Sequence, residues 1–443
     1  MNTAHRYAAS LLARLGADES RLRQGEPGLH PAIGWARSGA MALTGRRDGP
    51  ALLCPAPLTA CADGALLALE AIAEPLPGLS GRGLLTERAA IMGLARNSKI
   101  APGGSCRLLP TDDGWIAANL PRPDDWAMIA AWLETEIELS WDAVAAIVRT
   151  RATGALRDQG RLLGLAVAAM EELVADHGPW RIARSSNAPA IRRSDRPLVL
   201  DLTGLWAGPL CCSLLRMQGA RVIKIENIRR PDGARGGAAQ FYDLLNAGKE
   251  SVALDFKTTR GLDQLRRLIA AADIVVESSR PRALRQLGID AEEMVASGPG
   301  LTWVGITGYG RGEPEANWIA FGDDAGVAAG LSSLVAEPDG TPNFCADAIA
   351  DPLTGLHAAL AAWHCWMSGA GGLVSVSLRD VTAHCADFDR PTDGMQQRWL
   401  EWQEMLETCR EPVTEPRARP PAGLARPLGA DTAAVLSEFG LQC

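Results

Sequence analysis

Asp351 stands directly before Pro352, with Gly355 one turn on and an apolar run behind it. Two chemistries suit that spacing. An aspartate followed by proline is a common helix start, with Asp as N-cap and Pro at the first helical position. The same geometry places a carboxylate at the positive end of a helix dipole, where it is held ionised, and Gly355 leaves room for a substrate beside it. An ionised carboxylate so placed can attack an acyl carbonyl as a covalent nucleophile. His357, on the same apolar helix, reads as a packed core histidine.

The basic residues Arg229, Arg230, Arg235, Lys249 and Arg280 fall in loops or strand ends of one α/β segment. Singly they suit a solvated rim; as a group they could meet phosphates at the carboxyl edge of a parallel sheet. The first strand-to-helix turn, TGLWAGP (203–209), is not G-x-G-x-x-G, which argues against a dinucleotide dehydrogenase. No Walker A, G-x-S-x-G or H-E-x-x-H pattern occurs. The ten cysteines show neither C-x-x-C nor metal-ligand spacing, so no zinc site and no disulfide scaffold is expected, and the compartment reads as reducing cytoplasm.

These residues need elements to hold them. Apolar runs at 197–204, 221–226, 251–256, 274–278, 301–307 and 372–378 read as strands buried on both faces. Between them lie helical patterns opening at Gly208-Pro209 and over 259–272, 282–287 and 351–369. Alternation of this kind implies parallel βαβ units and an open Rossmann-like sheet. The first 190 residues lack that rhythm. They predict a strand at 115–120 and helices at 124–135, 142–151 and 161–177, followed by a polar linker over 177–197. Beyond 386 the chain is polar and Pro-rich, with helices near 396–408 and 431–441.

A repeat crosses that linker. Shifting the chain by 291 positions superposes Gly39 on Gly330, Leu43 on Leu334, Asp48 on Asp339, Gly49 on Gly340, Cys54 on Cys345, Gly64 on Gly355, Ala68 on Ala359 and Leu69 on Leu360 without a gap. At the decisive position the copies differ, because Ala60 stands where the second copy has Asp351.

The 443 residues leave room for about three domains. The net charge of −8 provides no basic field for nucleic acid or an anionic membrane, and no run reaches the length of a membrane span. Arg14 interrupts the place where a signal peptide's apolar core would run. Only four of the 44 basic residues are lysine, and three of these fall between 224 and 257.

Read as a whole, LVLDLTGLWAGPLCCSLLRMQGARVIKIE resembles the opening of the class III CoA-transferases, the CaiB/BaiF type that includes formyl-CoA and carnitine-CoA transferases. The resemblance continues through PDGAR (231–235), NAGKESVALDFK (246–257), VVESSRPRALRQLG (275–288), ITGYG (306–310) and ADPLTGLHAAL (350–360), and returns in RPLGADTAAVLSEFGL (426–441). The resemblance implies an acyl-CoA:carboxylate CoA-transferase whose nucleophile is Asp351, working through acyl-aspartyl anhydride and aspartyl-CoA thioester intermediates. It implies CoA and acyl-CoA as substrate, no metal, and a carboxylic acid as the second partner in a cytoplasmic homodimer. Arg235, Lys249 and Arg280 match family positions facing the CoA nucleotide, with Ile306, Thr307, Gly308 and Tyr309 near it. Two other readings stay open. A racemase of α-methylacyl-CoA thioesters would need a histidine in G-H-D, where this chain has FGDD (321–324). A noncatalytic CoA-binding protein would fit the degenerate first copy.

The expected fold is thus α/β, a Rossmann-like open parallel sheet domain with a smaller α/β domain in rearranged order. Residues 1–105 form a mostly helical, degenerate copy of the catalytic-helix region, and 106–190 a small α/β domain. Residues 191–385 form the CoA-binding and catalytic domain, and 386–443 a linker and tail packing back on it. Asp351 is expected in a cleft that Arg235, Lys249 or Arg280 reaches through a CoA-sized ligand.

Overall fold

The computed structural model describes residues 2–22, 29–170, 178–185 and 195–442. Residues 171–177 and 186–194, which hold the end of the expected 161–177 helix and part of the expected linker, lie outside the described residues.

Among the described residues, ten strands form two sheets. The smaller is an antiparallel meander of β1 (Cys106–Pro110), β2 (Trp115–Asn119) and β3 (Ala166–Ala169). The larger holds β4 (Arg181–Ser185), β5 (Leu198–Leu202), β6 (Arg221–Asn227), β7 (Glu250–Leu254), β8 (Ile274–Glu277), β9 (Thr302–Thr307) and β10 (Gly372–Ser377). Its order is β4-β10-β9-β8-β5-β6-β7, parallel throughout except for β4, which runs antiparallel on the edge beside β10. From β5 the chain winds outward through β6 and β7, then returns to build β8, β9 and β10 on the other side. The direction reverses between β5 and β8, and a doubly wound sheet opens its binding crevice at the carboxyl ends of such a pair.

The six apolar runs read as strands become β5 to β10, because each presents buried residues on both sheet faces. One face carries the long apolar helix Ala350–Ser368 against the helix Ala207–Met217 and the N-terminal helices; the other carries Thr259–Ala271 and the tail. The tail helix Thr432–Glu438 lies along edge strand β7, where Ser251 and Asp431 exchange hydrogen bonds, so this edge is covered.

Four parts of the first 190 residues depart from expectation. The helix expected over 161–177 is instead the end of Thr153–Leu162, a turn at Gly164 (φ +76) and strand β3. The run LAVAAM is continuously apolar, and a short run of that kind suits a buried strand as well as a helix. Strand β1 was not expected, and β4 lies within the expected linker. The helix expected over 124–135 is two short ones, Pro123–Ala127 and Ile129–Trp132.

The repeat has a physical counterpart. Gly39 and Gly330 both take left-handed backbone, at φ 87 and φ 84, each leading into a short helical turn. A side chain on Gly64 would meet the Ala4 carbonyl at 2.6 Å and Tyr7, and one on Gly355 the Ala207 carbonyl at 2.7 Å and Leu210. Helix Leu58–Ile72 thus sits on Thr3–Leu15 as Ala350–Ser368 sits on Ala207–Met217.

Candidate active site

Helix Ala350–Ser368 places Asp351 in its first turn, but not as the cap. The N-cap position is Ile349, and the Asp351 carboxylate instead accepts from the amide of Ala207, which opens the neighbouring helix. Gly355 does not make room for a substrate either; it lets the two helices close on each other. The residue that clears space at the carboxylate is Gly322, the first of the helix Gly322–Ala328. A Cβ there would overlap Asp351 Oδ2 and come within 2.5 Å of the Ala348 carbonyl.

Asp351 is partly exposed at its surface and closely enclosed around it. Burial, then the charges of Asp323 and Asp347, raise its carboxyl against the pull of Arg88 and the Ala207 amide, and it is pushed up to about 7. The carboxyl is thus raised where the helix start led to the expectation of a firmly ionised group, because loss of solvent outweighs Arg88 and the Ala207 amide. Asp323 is pushed up to about 6 by burial and the Asp347 charge, and Asp324, whose Oδ1 accepts from Asn119 of β2 at 2.9 Å, to about 7 by burial. The Asp351 amide donates to the Ala348 carbonyl at 2.9 Å, so it is not aimed at a substrate oxygen.

The turn before helix Ala207–Met217 is tightly built. Leu205 has φ 67 and is exposed, its amide donating to Asp232 Oδ1 at 2.9 Å. A non-glycine residue held there signals a constrained segment. Trp206, next to it, is buried.

The basic residues singled out from the sequence divide. Arg280 caps the short helix after β8, at the crevice between β5 and β8, where the Gly204 amide reaches Ser278 Oγ at 3.3 Å. Its guanidinium is lowered by burial and by the neighbouring charges of Arg282, Arg122 and Arg230. Lys249 is not brought there. It is buried, and its ammonium donates to Asp201 at 2.8 Å and to Pro209 O and Asn246 Oδ1 at 3.0 Å each. Lys224 joins the same interior network through Asp232 at 3.0 Å. Arg235 turns inward on Glu226 at 2.6 Å and stacks over Tyr242.

Arg280 and Arg282 line a cleft of about 270 Å³ with Arg122 and Arg161 of the three-stranded unit. Arg161 is largely buried, lies 3.9 Å over the Trp318 ring and 4.7 Å over Tyr309, and its Nε has no hydrogen-bond partner among the described residues. Four guanidinium groups from two units converge here, although Arg122 is also paired with Asp125. The cleft and the carboxylate are linked along the chain: Ile319 lines the one and Gly322 abuts the other, and these two positions are at most ~11 Å of extended backbone apart. Gly308 borders that stretch and Tyr309 the arginines of the cleft, while no contact among the described residues places Thr307 at either. Thr307 Oγ1 accepts from the Gly310 amide at 2.9 Å, Gly308 packs on Ala320, and Tyr309 lies under Arg161.

The sequence profile of CoA-transferase family III matches residues 197–405. This segment is therefore similar to CoA-transferase family III over a little under half of the chain. Among similar proteins, the succinate–glutarate CoA-transferase of Agrobacterium fabrum is 32% identical over 200 residues, covering 41% of this chain and 50% of that protein. The formyl-CoA:oxalate CoA-transferase of Escherichia coli is 34% identical over 194 residues, covering 41% and 47%. The chain thus spans about half the length of the curated relatives it matches. Of solved structures, a CaiB/BaiF family protein from Brucella suis is 30% identical, covering 42% of this chain and 53% of that one at a TM-score of 0.40. The family III segment holds Asp351, Gly322, Trp206 and Arg280; Arg122 and Arg161 lie outside it. No sequence signal marked those two arginines, whereas the glycine of FGDD was a visible clue to Gly322.

Proposed function

We propose that the protein is an acyl-CoA:carboxylate CoA-transferase with Asp351 as its nucleophile. The observation that carries this reading is a carboxylate on a helix N-terminus, cleared by Gly322, which follows Ile319 of a four-arginine cleft by three positions. The cleft suits the phosphates of a CoA nucleotide, to which guanidinium groups bind by paired, charge-assisted hydrogen bonds. Arg280, Arg161, Arg122 and Arg282 hold the nucleotide. Arg235 and Lys249 support the sheet beneath it. The pantetheine arm then runs past Tyr309 and Ala320 to Asp351.

In the reaction, an Asp351 oxygen attacks the donor thioester carbonyl, the C–S bond breaks, and CoA leaves as thiolate, giving a mixed anhydride. The thiolate attacks the aspartyl carbonyl, the donor acid departs as carboxylate, and an aspartyl-CoA thioester remains. The acceptor carboxylate attacks that carbonyl and expels thiolate again. The thiolate then takes the acceptor acyl group and frees the Asp351 carboxylate. Every step exchanges one activated acyl bond for another, so no nucleotide triphosphate is consumed. Because burial raises Asp351, the nucleophile is ionised mainly above neutral pH, and closure around it shields the intermediates from water. Purified protein offered pairs of acyl-CoA thioesters and free carboxylates tests this directly. Chromatography should show new acyl-CoA appearing as donor acyl-CoA disappears, with no free CoA accumulating. Hydrolysis alone, or no exchange with any pair despite CoA binding, overturns the reading.

A further inference from the structure

The turn that leads into the Asp351 helix is held from outside the family III segment. Ala346 and Ala348 both take left-handed backbone, at φ 57 and φ 42, a conformation L-residues with a Cβ resist. Each is tied by its amide: Ala346 N–H donates to Thr44 Oγ1 at 3.0 Å, and Ala348 N–H to Asp323 Oδ1 at 2.9 Å. Between them, Asp347 is fully buried and gripped by both arms of Arg88, at 2.8 Å and 2.5 Å. Arg88 comes from the short helix Glu87–Met92 and Thr44 from the turn after Met41–Leu43, so both belong to the first hundred residues. The Arg88 guanidinium also lies 5.6 Å over the ring of Trp206, the residue before the Ala207 amide that Asp351 accepts from.

We infer that Arg88 is a positioning residue for Asp351, clamping through Asp347 and Trp206 the two segments that aim its carboxylate. The N-terminal region, having lost its own aspartate at Ala60, would then serve the aspartate of the second copy. This rests on Asp351 being the nucleophile. It adds that the site is completed by a side chain from the same chain's first hundred residues.

The geometry has an electrostatic consequence. The charged groups facing Asp351 are Asp323 from Gly322–Ala328, Asp347 from the turn and Arg88 from Glu87–Met92, while Ala207–Met217 faces it with an amide. One cation therefore serves three carboxylates. Removing it leaves the carboxylates to repel one another; neutralising Asp347 leaves Arg88 to act on Asp351.

Carboxyl ¹³C NMR titration of the full chain, with the Asp351 resonance assigned through Asp351→Asn, tests this without turnover. Arg88→Gln should raise the Asp351 midpoint by about one pH unit or more, and Arg88→Lys should restore most of that shift. Asp347→Asn, which keeps the volume, should lower the midpoint and serves where Arg88→Gln does not fold. A folded Arg88→Gln or Asp347→Asn protein with an unchanged midpoint, or both shifting it the same way, overturns the inference. Wild-type protein that transfers no CoA, with both variants shifting the midpoint as stated, would sink the transferase reading and the catalytic side of this inference, and leave only the coupling of Arg88 to Asp351.

Discussion

Gly322 and Asp351 occupy complementary space: the one lacks a side chain where the carboxylate of the other stands. Gly322→Ala must push Asp351 aside or displace the Ala348 carbonyl, which belongs to a backbone turn already held in a restricted conformation. The expected result is a fall in kcat of about 100-fold, since a displacement near 1 Å at a reacting group has that effect, with a stability loss of about 1–3 kcal/mol from overpacking. Steady-state kinetics and denaturant titration separate the two. A variant with wild-type kcat would remove Gly322 from the site.

The raised carboxyl of Asp351 gives a stability signature whose sign is fixed. It titrates near 7 when folded and near ~4 when unfolded, because burial, then Asp323 and Asp347, favour the neutral form. The folded chain therefore binds the proton more tightly. The resulting stabilisation is complete below about pH 4 and lost as pH rises through about 7. Asp351→Asn escapes that loss. It should melt higher than wild type at pH 8, with the gap closing towards pH 4. Thermal denaturation at both pH values checks this, and a gap absent at pH 8 contradicts the assignment.

Arg280 and Arg161 should act on binding rather than chemistry. Each single change to Ala is expected to weaken CoA about tenfold or more, the usual cost of losing a hydrogen bond to a charged group. Their kcat should hold. Calorimetric titration with CoA at two salt concentrations reads this, with a shallower salt dependence in the variants. Unchanged affinity in both would move the nucleotide elsewhere.

Lys249→Met should behave differently. It strands Asp201, whose carboxyl is buried yet kept well below its ordinary range by Lys224 and Lys249 together. Breaking a buried pair from one side costs about 3–5 kcal/mol. The loss should appear in chemical denaturation, while the KM for acyl-CoA in whatever protein folds stays near wild type. A KM effect without destabilisation would return Lys249 to the nucleotide.

How far the sequence reveals this molecule follows from where its signals are local. The parallel strands were legible because burial on both faces writes a continuous apolar run, as in LVLDL and IVVE. Asp351 was legible because ADPLTGLHAAL carries its neighbours along the chain. β3 was not, since LAVAAM suits two structures, and its choice of strand is settled by pairing with β2. Lys249 was recognised by motif but its burial was invisible, because Asp201 and Pro209 reach it through the fold. Arg88 left no trace at all: its partner Asp347 lies 259 positions away.

The central claim is that the Asp351 carboxylate is acylated in turnover and its activated carbonyl then receives an acceptor oxygen, and isotope transfer reads it most directly. Turnover with an ¹⁸O-labelled acceptor carboxylate should leave one labelled oxygen on Asp351, found by mass spectrometry of its peptide. The anhydride's bridging oxygen stays with the aspartate when thiolate takes the acyl group. Exchange of CoA with no label in that peptide would contradict the account.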